Sequence, residues 1–399
     1  MKKALPPMVI AAVTSLQAYA GTVTTNGPDI VIDTNSGLEV KTIDGDYAFK
    51  LGGRVQIDYN TYDGVINTVE GETGSDLFFR RARLELKGKA KDWSYNISYN
   101  LTDSGSIDKL FLTYNGWNEM ARLSIGEQKE FFGLEDTGSS KWITAIERSM
   151  PSSAFDVGDN MGIKIHGAND LLTYSAGIYK ESVDAADNSL DTAITGRLVF
   201  RPVYNESMLV HLGGGLTLRD GSFDGFGARL GVRGGENGTA NAVAAGYVAG
   251  NVDDLSAYNL ELAISMESLH LMAEYFDGKI SGSGAPDIDA DGYYIQLGWI
   301  MTGERRKYKT SIAAFDKVKP NSSGGAWEIF GRYDNLDVSN NNALITESGE
   351  QADSLTLGVN WYMNSLLKLS ANYVHTETDE NIGGEDDGDA LVARLQYAF

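Results

Sequence analysis

Within residues 78–90, Arg81, Arg83, Glu85, Lys87 and Lys89 stand at every second position, with Ala82, Leu84 and Leu86 between them. Extended backbone sends neighbours to opposite faces, so this stretch has one charged face and one apolar face. Residues 50–60 repeat the arrangement, with Arg54, Gln56 and Asp58 alternating with Val55, Ile57 and Tyr59. Arg122, Arg197, Arg201 and Arg219 take the charged parity of their own segments. Guanidinium is a planar, permanently charged donor fork that matches the oxygens of phosphate. The chemistry such a face offers is the holding of oxyanions. The alternative is that these charges pair with neighbouring carboxylates or hydrate a polar interior. Arg80 falls on the apolar parity, where an arginine at mid-membrane costs roughly 2–4 kcal/mol. A rim or a subunit interface is the expected place for it.

The elements that would carry these faces are strands. The last eleven residues alternate strictly, with Leu391, Ala393, Leu395, Tyr397 and Phe399 on one side and Val392, Arg394, Gln396 and Ala398 on the other. Seventeen segments alternate in this way between Lys50 and the terminal phenylalanine. Tight turns such as Lys91-Asp92, Asn118-Glu119, Asn205-Glu206 and Asn364-Ser365 alternate with long polar connections. That is the layout of a transmembrane barrel with short periplasmic turns and long outer loops. Both ends of the wall should be periplasmic, which requires an even count. Gly225–Gly234, glycine-rich and flanked by polar stretches, is the weakest candidate and is assigned to a loop. The expectation is an all-β fold: a sixteen-stranded antiparallel transmembrane β-barrel with an inward-folded constriction loop.

Three connections stand out. Residues 129–159 are long and carry Phe131, Phe132, Trp142, Ile143 and Ile146, so an ordered, inward-folded loop is expected. Residues 220–254 hold Arg229 and Arg233 on one face, with Gly231 between them. Residues 302–325 crowd Arg305, Arg306, Lys307, Lys309, Lys317 and Lys319 against only Glu304 and Asp316. Strand parity places this last segment on the periplasmic side.

Composition agrees with a strand-rich exported chain: 46 Gly, 20 Tyr, 7 Pro and no Cys. Lys2 and Lys3 precede an apolar stretch and Ala18-Tyr19-Ala20, which reads as a secretory signal over residues 1–20. The single β-barrel domain then spans 21–399. Removing the signal takes away two lysines and no acids, moving the net charge from −22 to −24. Such an acidic balance argues against nucleic acid as a partner.

These segments resemble the phosphate-selective porin O/P family of Gram-negative outer membranes. The resemblance runs over essentially the whole mature chain. Its most specific pieces are Phe49-Lys-Leu-Gly-Gly-Arg54, Phe79-Arg80-Arg81-Ala82, Phe132-Gly-Leu-Glu135, Ser139-Ser-Lys-Trp142, Gly325-Ala-Trp-Glu328 and Leu391-Val-Ala-Arg394. The resemblance implies homotrimers in the cell outer membrane and an anion path of three parts. Arg229 and Arg233 match its arginine ladder. Arg54, Arg80, Arg81, Ser139, Ser140 and Arg148 match its phosphate-binding constriction, with Asp108 as an acid there, and Lys319 matches its periplasmic lysine cluster. Two departures matter. Family arginines fall at Gly225 and Gly227, and Asp136 stands where phosphate-selective relatives carry a central lysine. Arg83 and Lys129 look like added cations nearby.

The expected function is therefore passive diffusion of anions, phosphate or related oxyanions, through an arginine- and lysine-lined pore. The alternative is a weakly selective general diffusion porin, cation-tolerant because of Asp136. An outer-membrane protease or lipase is not expected, because no Ser/His/Asp set shares one rim with defined spacing. No cofactor or metal is expected either. Asp287-x-Asp289-x-Asp291-Gly292 begins like a calcium loop, but Gly298 stands where the bidentate glutamate is required. Gly133–Lys141 has a glycine pair at P-loop spacing with Ser139-Ser140-Lys141 in the wrong order. His166, His211, His270 and His375 lie on separate strands without metal-like spacing.

Overall fold

The computed structural model describes residues 20–23, 29–34, 37–67, 73–102, 105–118, 120–180, 192–220, 225–229, 241–246, 252–282, 287–340, 351–382 and 385–399. Most of the expected signal segment lies outside them.

Sixteen strands form the wall: β1 Tyr47–Tyr62, β2 Gly74–Ala90, β3 Trp93–Asn100, β4 Ser106–Tyr114, β5 Arg122–Lys129, β6 Asp159–Ala168, β7 Leu172–Lys180 and β8 Thr192–Tyr204. They continue as β9 Met208–Asp220, β10 Val252–Met266, β11 Leu269–Gly282, β12 Ile288–Ile300, β13 Ala326–Asn340, β14 Gln351–Tyr362, β15 Leu367–Ile382 and β16 Glu385–Ala398. Each pairs antiparallel with the next, and β16 closes on β1 with Leu395 opposite Ile57 and Ala398 opposite Arg54. Closure pairs every strand edge, as a hydrocarbon surround requires.

The wall strands run further at their long-loop ends than alternation foretells. β12 begins at Ile288, whereas its apolar rhythm begins at Gly292. Above the lipid band the outward face meets water and carries Asp289 and Asp291, while the inward Ile288 and Ala290 pack with Ile280 and Val338. Below the closure, Leu38–Thr42 takes over the edge of β1, pairing Leu38 with Leu51 and Lys41 with Ala48. The hand-over occurs at Gly52 and Gly53. A Cβ at Gly52 would stand 2.7 Å from the Phe399 carbonyl oxygen, so the chain end closes on β1 only over glycine. Gly53 and Phe399 then exchange backbone hydrogen bonds of 2.9 and 3.1 Å.

The outer parity is apolar. Leu198, Leu260 and Leu297 leave 58, 58 and 56% of their surface bare, which is stable against lipid and not against water. At the tight-turn end, Trp327 stacks on Trp361 at 5.1 Å and Trp93 meets Tyr114 at 5.2 Å. At the other end Tyr293 packs on Tyr333 at 6.1 Å, and the Tyr333 and Tyr373 hydroxyls donate to Asp353 and Asp389 at 2.6 Å each. These are interfacial belts, with rings toward lipid and hydroxyls toward water.

Inside, the connection from β5 to β6 turns into the lumen, where it forms two short helices, α1 Leu134–Thr137 and α2 Met150–Ala154. Its apolar side, including Phe132, Ile146, Met150 and Phe155, packs on Phe276, Leu336 and Val392 of the wall. Gly225–Arg229 is extended but pairs with Asn241–Gly246, outside the wall, and Phe226 packs on Phe155 at 4.8 Å. Residues 302–325 fold in from the tight-turn end as a two-residue ladder around a 3-10 turn, Thr310–Ile312. Phe315 joins Leu134, Leu209, Met272 and Tyr294 beneath the constriction loop.

One parity expectation is overturned. In the β1–β2 ladder Gln56 faces Arg81 and Ile57 faces Phe79, so Arg80 is the extra residue of a β-bulge. A bulge adds a residue without advancing the register, which lets two successive side chains point the same way. Arg80 turns inward beside Arg81, neither toward lipid nor to a subunit interface. A second bulge, between Ser98–Lys109 and Tyr99–Ile107, does the same for Asp108 and Lys109.

Candidate functional site

The constriction loop is held by side chains of the inner wall. Loop carbonyls accept from cations and amides: Ile143 from Lys368 at 3.1 Å, Thr144 from Asn360 at 2.9 Å, Ile146 from Arg394 at 2.6 Å and Glu147 from Arg332 at 2.9 Å. Loop N–H groups donate to carboxylates: Leu134 and Glu135 to Glu274 at 2.6 and 2.9 Å, and Met150 to Asp334 at 3.1 Å. A buried loop must satisfy its backbone in some such way. The Leu134 and Glu135 N–H groups lie between the two glycines of P-loop spacing, and Glu274 already occupies them. From below, Arg306 bonds the Thr144 hydroxyl and the Trp142 carbonyl, so the periplasmic segment is latched to the loop.

Seated against β11–β16, the loop leaves the lumen open on the side of β2–β6. There a cavity of about 650 Å³ is bounded by twelve Arg and Lys and five Asp and Glu among the described residues. The local excess is seven positive charges inside a chain whose net charge is −22. Arg54, Arg80, Arg81, Arg83, Lys129, Ser139, Ser140, Arg148 and Asp108 all line it. Arg54 donates to Ser140 Oγ at 2.9 Å, and Arg81 to Gln56 at 3.1 Å. Arg80 grips Glu147 through two bonds of 2.8 and 3.0 Å. Arg83 meets Asp108 at 2.7 Å, and Ser98 donates to the same carboxylate at 3.0 Å.

Asp136 is placed differently. It is buried behind the cavity wall, accepting from Lys129 at 2.8 Å on both oxygens and facing Arg148 at 3.2 Å. Burial pushes its carboxyl above the usual range, Asp156 adds to the shift, and Lys129 and Arg148 offset only part of it. Burial also opposes ionisation of Glu147, but Arg80, Arg394 and Arg81 hold that carboxyl well below its ordinary value. The two loop acids therefore answer acid differently. As pH falls from 7 toward 4, Asp136 takes a proton ahead of an ordinary carboxyl, whose pKa lies near about 4. Lys129 and Arg148 then lose a counter-charge, and anion preference should rise. Reversal potentials at the two pH values check this; the rise is expected in the wild type and absent in Asp136→Asn.

Several functional side chains were not singled out by sequence reasoning. Lys109, Lys141 and Lys164 line the same cavity. Lys109 sits beside the second bulge, and Lys164 on a strand whose glycines blur its rhythm. Lys141 belongs to the loop, where parity says nothing. Of the basic periplasmic cluster, Lys309 reaches the cavity lining, Arg305 bonds the Asn205 carbonyl at 2.6 Å, and Lys319 is exposed away from the cavity. The side chain of Arg229 and the whole of Arg233 lie outside the described residues. Asp289 and Asp291 sit on extended β12 opposite Lys279 and Asp277, and an extended strand is not a calcium loop. His211 and His270 are buried against Glu261 and Glu328 at 2.9 and 2.6 Å, His375 faces Asp389 at 2.9 Å, and His166 lines the cavity.

A model of the family described as phosphate-selective porin O and P matches residues 49–399. The chain belongs to this family. It is 40% identical to Porin O of Pseudomonas aeruginosa over 98% of this chain and 97% of that one. An uncharacterised protein of Caulobacter vibrioides is 24% identical over 82% of this chain and 68% of its own. Among solved structures, the anion-selective porin from Comamonas acidovorans superposes with a TM-score of 0.56 at 13% identity, covering 88% of this chain and all of that one. The trimer form of OmpT from Vibrio cholerae gives 0.56 at 12% identity, covering 88 and 99%. Both structural likenesses carry the fold alone. The protein is an outer-membrane porin of the O and P family.

Proposed function

We propose that this porin passes anions, phosphate and related oxyanions foremost. The observation that carries the reading is the excess of seven positive charges around one cavity of an otherwise acidic chain. Low-dielectric walls focus such a field, so anions are concentrated and cations repelled at the narrowest point. Arg54, Arg80 and Arg81 would share the oxyanion's oxygens, with the Ser139 and Ser140 hydroxyls as neutral donors. Arg83, Lys109 and Lys129, each facing a carboxylate, keep the hold weak enough for the ion to leave. Release would be toward Lys87, Lys141 and Lys309, with Lys319 at the rim. No step makes or breaks a bond, so we infer a channel without catalysis. We further infer a homotrimer exported by residues 1–20, with 129–159 as constriction loop, 220–254 as the loop bearing Arg229 and Arg233, and 302–325 as the basic periplasmic segment.

The same pairing of cations with acids favours the second reading, a weakly selective diffusion pore. Planar-bilayer recordings under a chloride gradient separate the two. The first reading expects a reversal potential near the anion limit and a current inhibited by added phosphate. Removing both bulge-side guanidiniums in Arg80→Gln/Arg81→Gln should then weaken that inhibition about tenfold, the scale of one lost charge-assisted bond. A reversal potential near zero without phosphate inhibition would leave only the second reading. Trimer assembly is read from the mobility of unheated protein in detergent gels.

A further inference from the structure

The lining of the cationic cavity includes three aromatic rings that inorganic phosphate gives no reason for. Phe111, Phe131 and Trp142 line it together with the arginines, and all three are only half-buried. Phe111 is an inward residue of β4, two positions from Lys109 and opposite Asn96 of β3. Phe131 opens the constriction loop. The Lys164 ammonium stands 3.7 Å from its ring centroid, and His166 meets the ring edge-on at 5.9 Å. Trp142 lies on the loop between Lys141, which pairs with Glu85 at 3.1 Å, and the carbonyls held by Lys368 and Asn360. In a lumen that carries only hydrated inorganic ions, three aromatic rings facing water oppose their own hydration, and polar side chains would be more stable there. The cavity's volume, about 650 Å³, is that of a site for a whole organic molecule.

We propose that these rings offer a subsite for the apolar body of organic oxyanions, monoesters of phosphate with an aromatic or short aliphatic group, whose charged end is held by the constriction arginines. The inference rests on the anion reading and deepens it by naming a substrate class. Ring faces offer broad, chemically tolerant contact for a flat apolar group. Lys164 over Phe131 keeps a positive charge beside the ring, so the ester's phosphate end and its organic end find matching partners in one cavity. Passage requires that neither end bind tightly, and half-buried rings meet that requirement better than a closed pocket.

The test compares inhibition of chloride current by phenyl phosphate and by inorganic phosphate, first in the unaltered porin. Phenyl phosphate is expected to inhibit at about tenfold lower concentration, the ratio two modest ring contacts give. In Phe111→Ala/Phe131→Ala that ratio should fall to about one. Equal inhibition by the two anions in the unaltered porin overturns the subsite. So does a preference for phenyl phosphate that persists undiminished in the double variant. If the unaltered porin shows no anion preference and neither anion inhibits, the parent reading fails together with the subsite.

Discussion

Glu147→Gln is expected to destabilise the porin by about 3–5 kcal/mol, the range for removing one member of a buried charge group. Glu147 is 9% exposed and stands among three guanidiniums. Arg80 donates to it twice, Arg394 approaches to 2.7 Å and Arg81 to 3.9 Å. Arg80 and Arg81 are neighbours turned inward together by the bulge, so the carboxylate is what makes their proximity tolerable. Asp58 remains as a partner of Arg394 at 2.6 Å, but among the described residues no second carboxylate is paired with Arg80. A glutamine would fill the same space while turning an amide N–H toward a guanidinium. Urea unfolding in detergent, followed by tryptophan fluorescence, reads the loss. Faster trypsin cleavage after Lys141 or Arg148 in the folded protein would report the loop leaving its seat. The half-buried Lys41–Glu39 pair at 3.4 Å supplies the contrast, because Glu39→Gln should change stability by less than about 1 kcal/mol. A Glu147→Gln protein as stable as Glu39→Gln would show that the guanidiniums reach water and that the loop is not keyed by this acid.

The same cluster shows what was legible in the chain and what was not. Alternation exposed the wall, because lipid on one side and water on the other impose a period of two on every crossing strand. Strand count, closure and the inward sets Arg54–Gln56–Asp58 and Arg81–Arg83–Glu85 follow from that period. A bulge is invisible to it. Arg80 takes the apolar parity in the sequence and the lumen in the fold, since the inserted residue shifts register only where two strands meet. Parity also does not say what an inward charge is for. Arg332, Lys368 and Arg394 share the inward face with Arg54, yet they bond loop carbonyls while Arg54 lines the cavity. The difference is set by which side of the lumen the loop occupies, a packing outcome decided by Phe132, Ile146 and Phe155 against β11–β16. Asp136 is the sharpest case. Read along the chain it places a carboxylate in the anion path; in the fold its charge is spent on Lys129 and Arg148 behind the wall.

That placement separates two substitutions which a charge count would rank together. Asp136→Asn removes one negative charge and keeps the shape. Lys129 then loses the partner it contacts at 2.8 Å, and its ammonium, already on the cavity lining, gains weight in the field. Anion preference should rise, and phosphate should inhibit current at roughly tenfold lower concentration, as expected for one unit charge in a poorly screened passage. Asp136→Lys shifts the local charge by two units toward positive and restores the residue type that the family resemblance leads one to expect. By charge alone it should do better still. Geometry says the reverse, because the new ammonium would lie where Asp136, itself buried, now meets the half-buried Lys129 at 2.8 Å and Arg148 at 3.2 Å. Three cations that face only Asp156 among the described residues, 4.0 Å from Lys129, are expected to lower stability by several kcal/mol, on the order of 3–5. The constriction loop would then shift and selectivity would be lost. Lys129→Asp/Asp136→Lys, which exchanges the partners, should recover stability but not anion preference, because it puts the carboxylate on the cavity lining. If reversal potential instead moves monotonically from Asp through Asn to Lys with stability unchanged, Asp136 faces the permeation path, and the carboxylate tunes selectivity as an open pore charge.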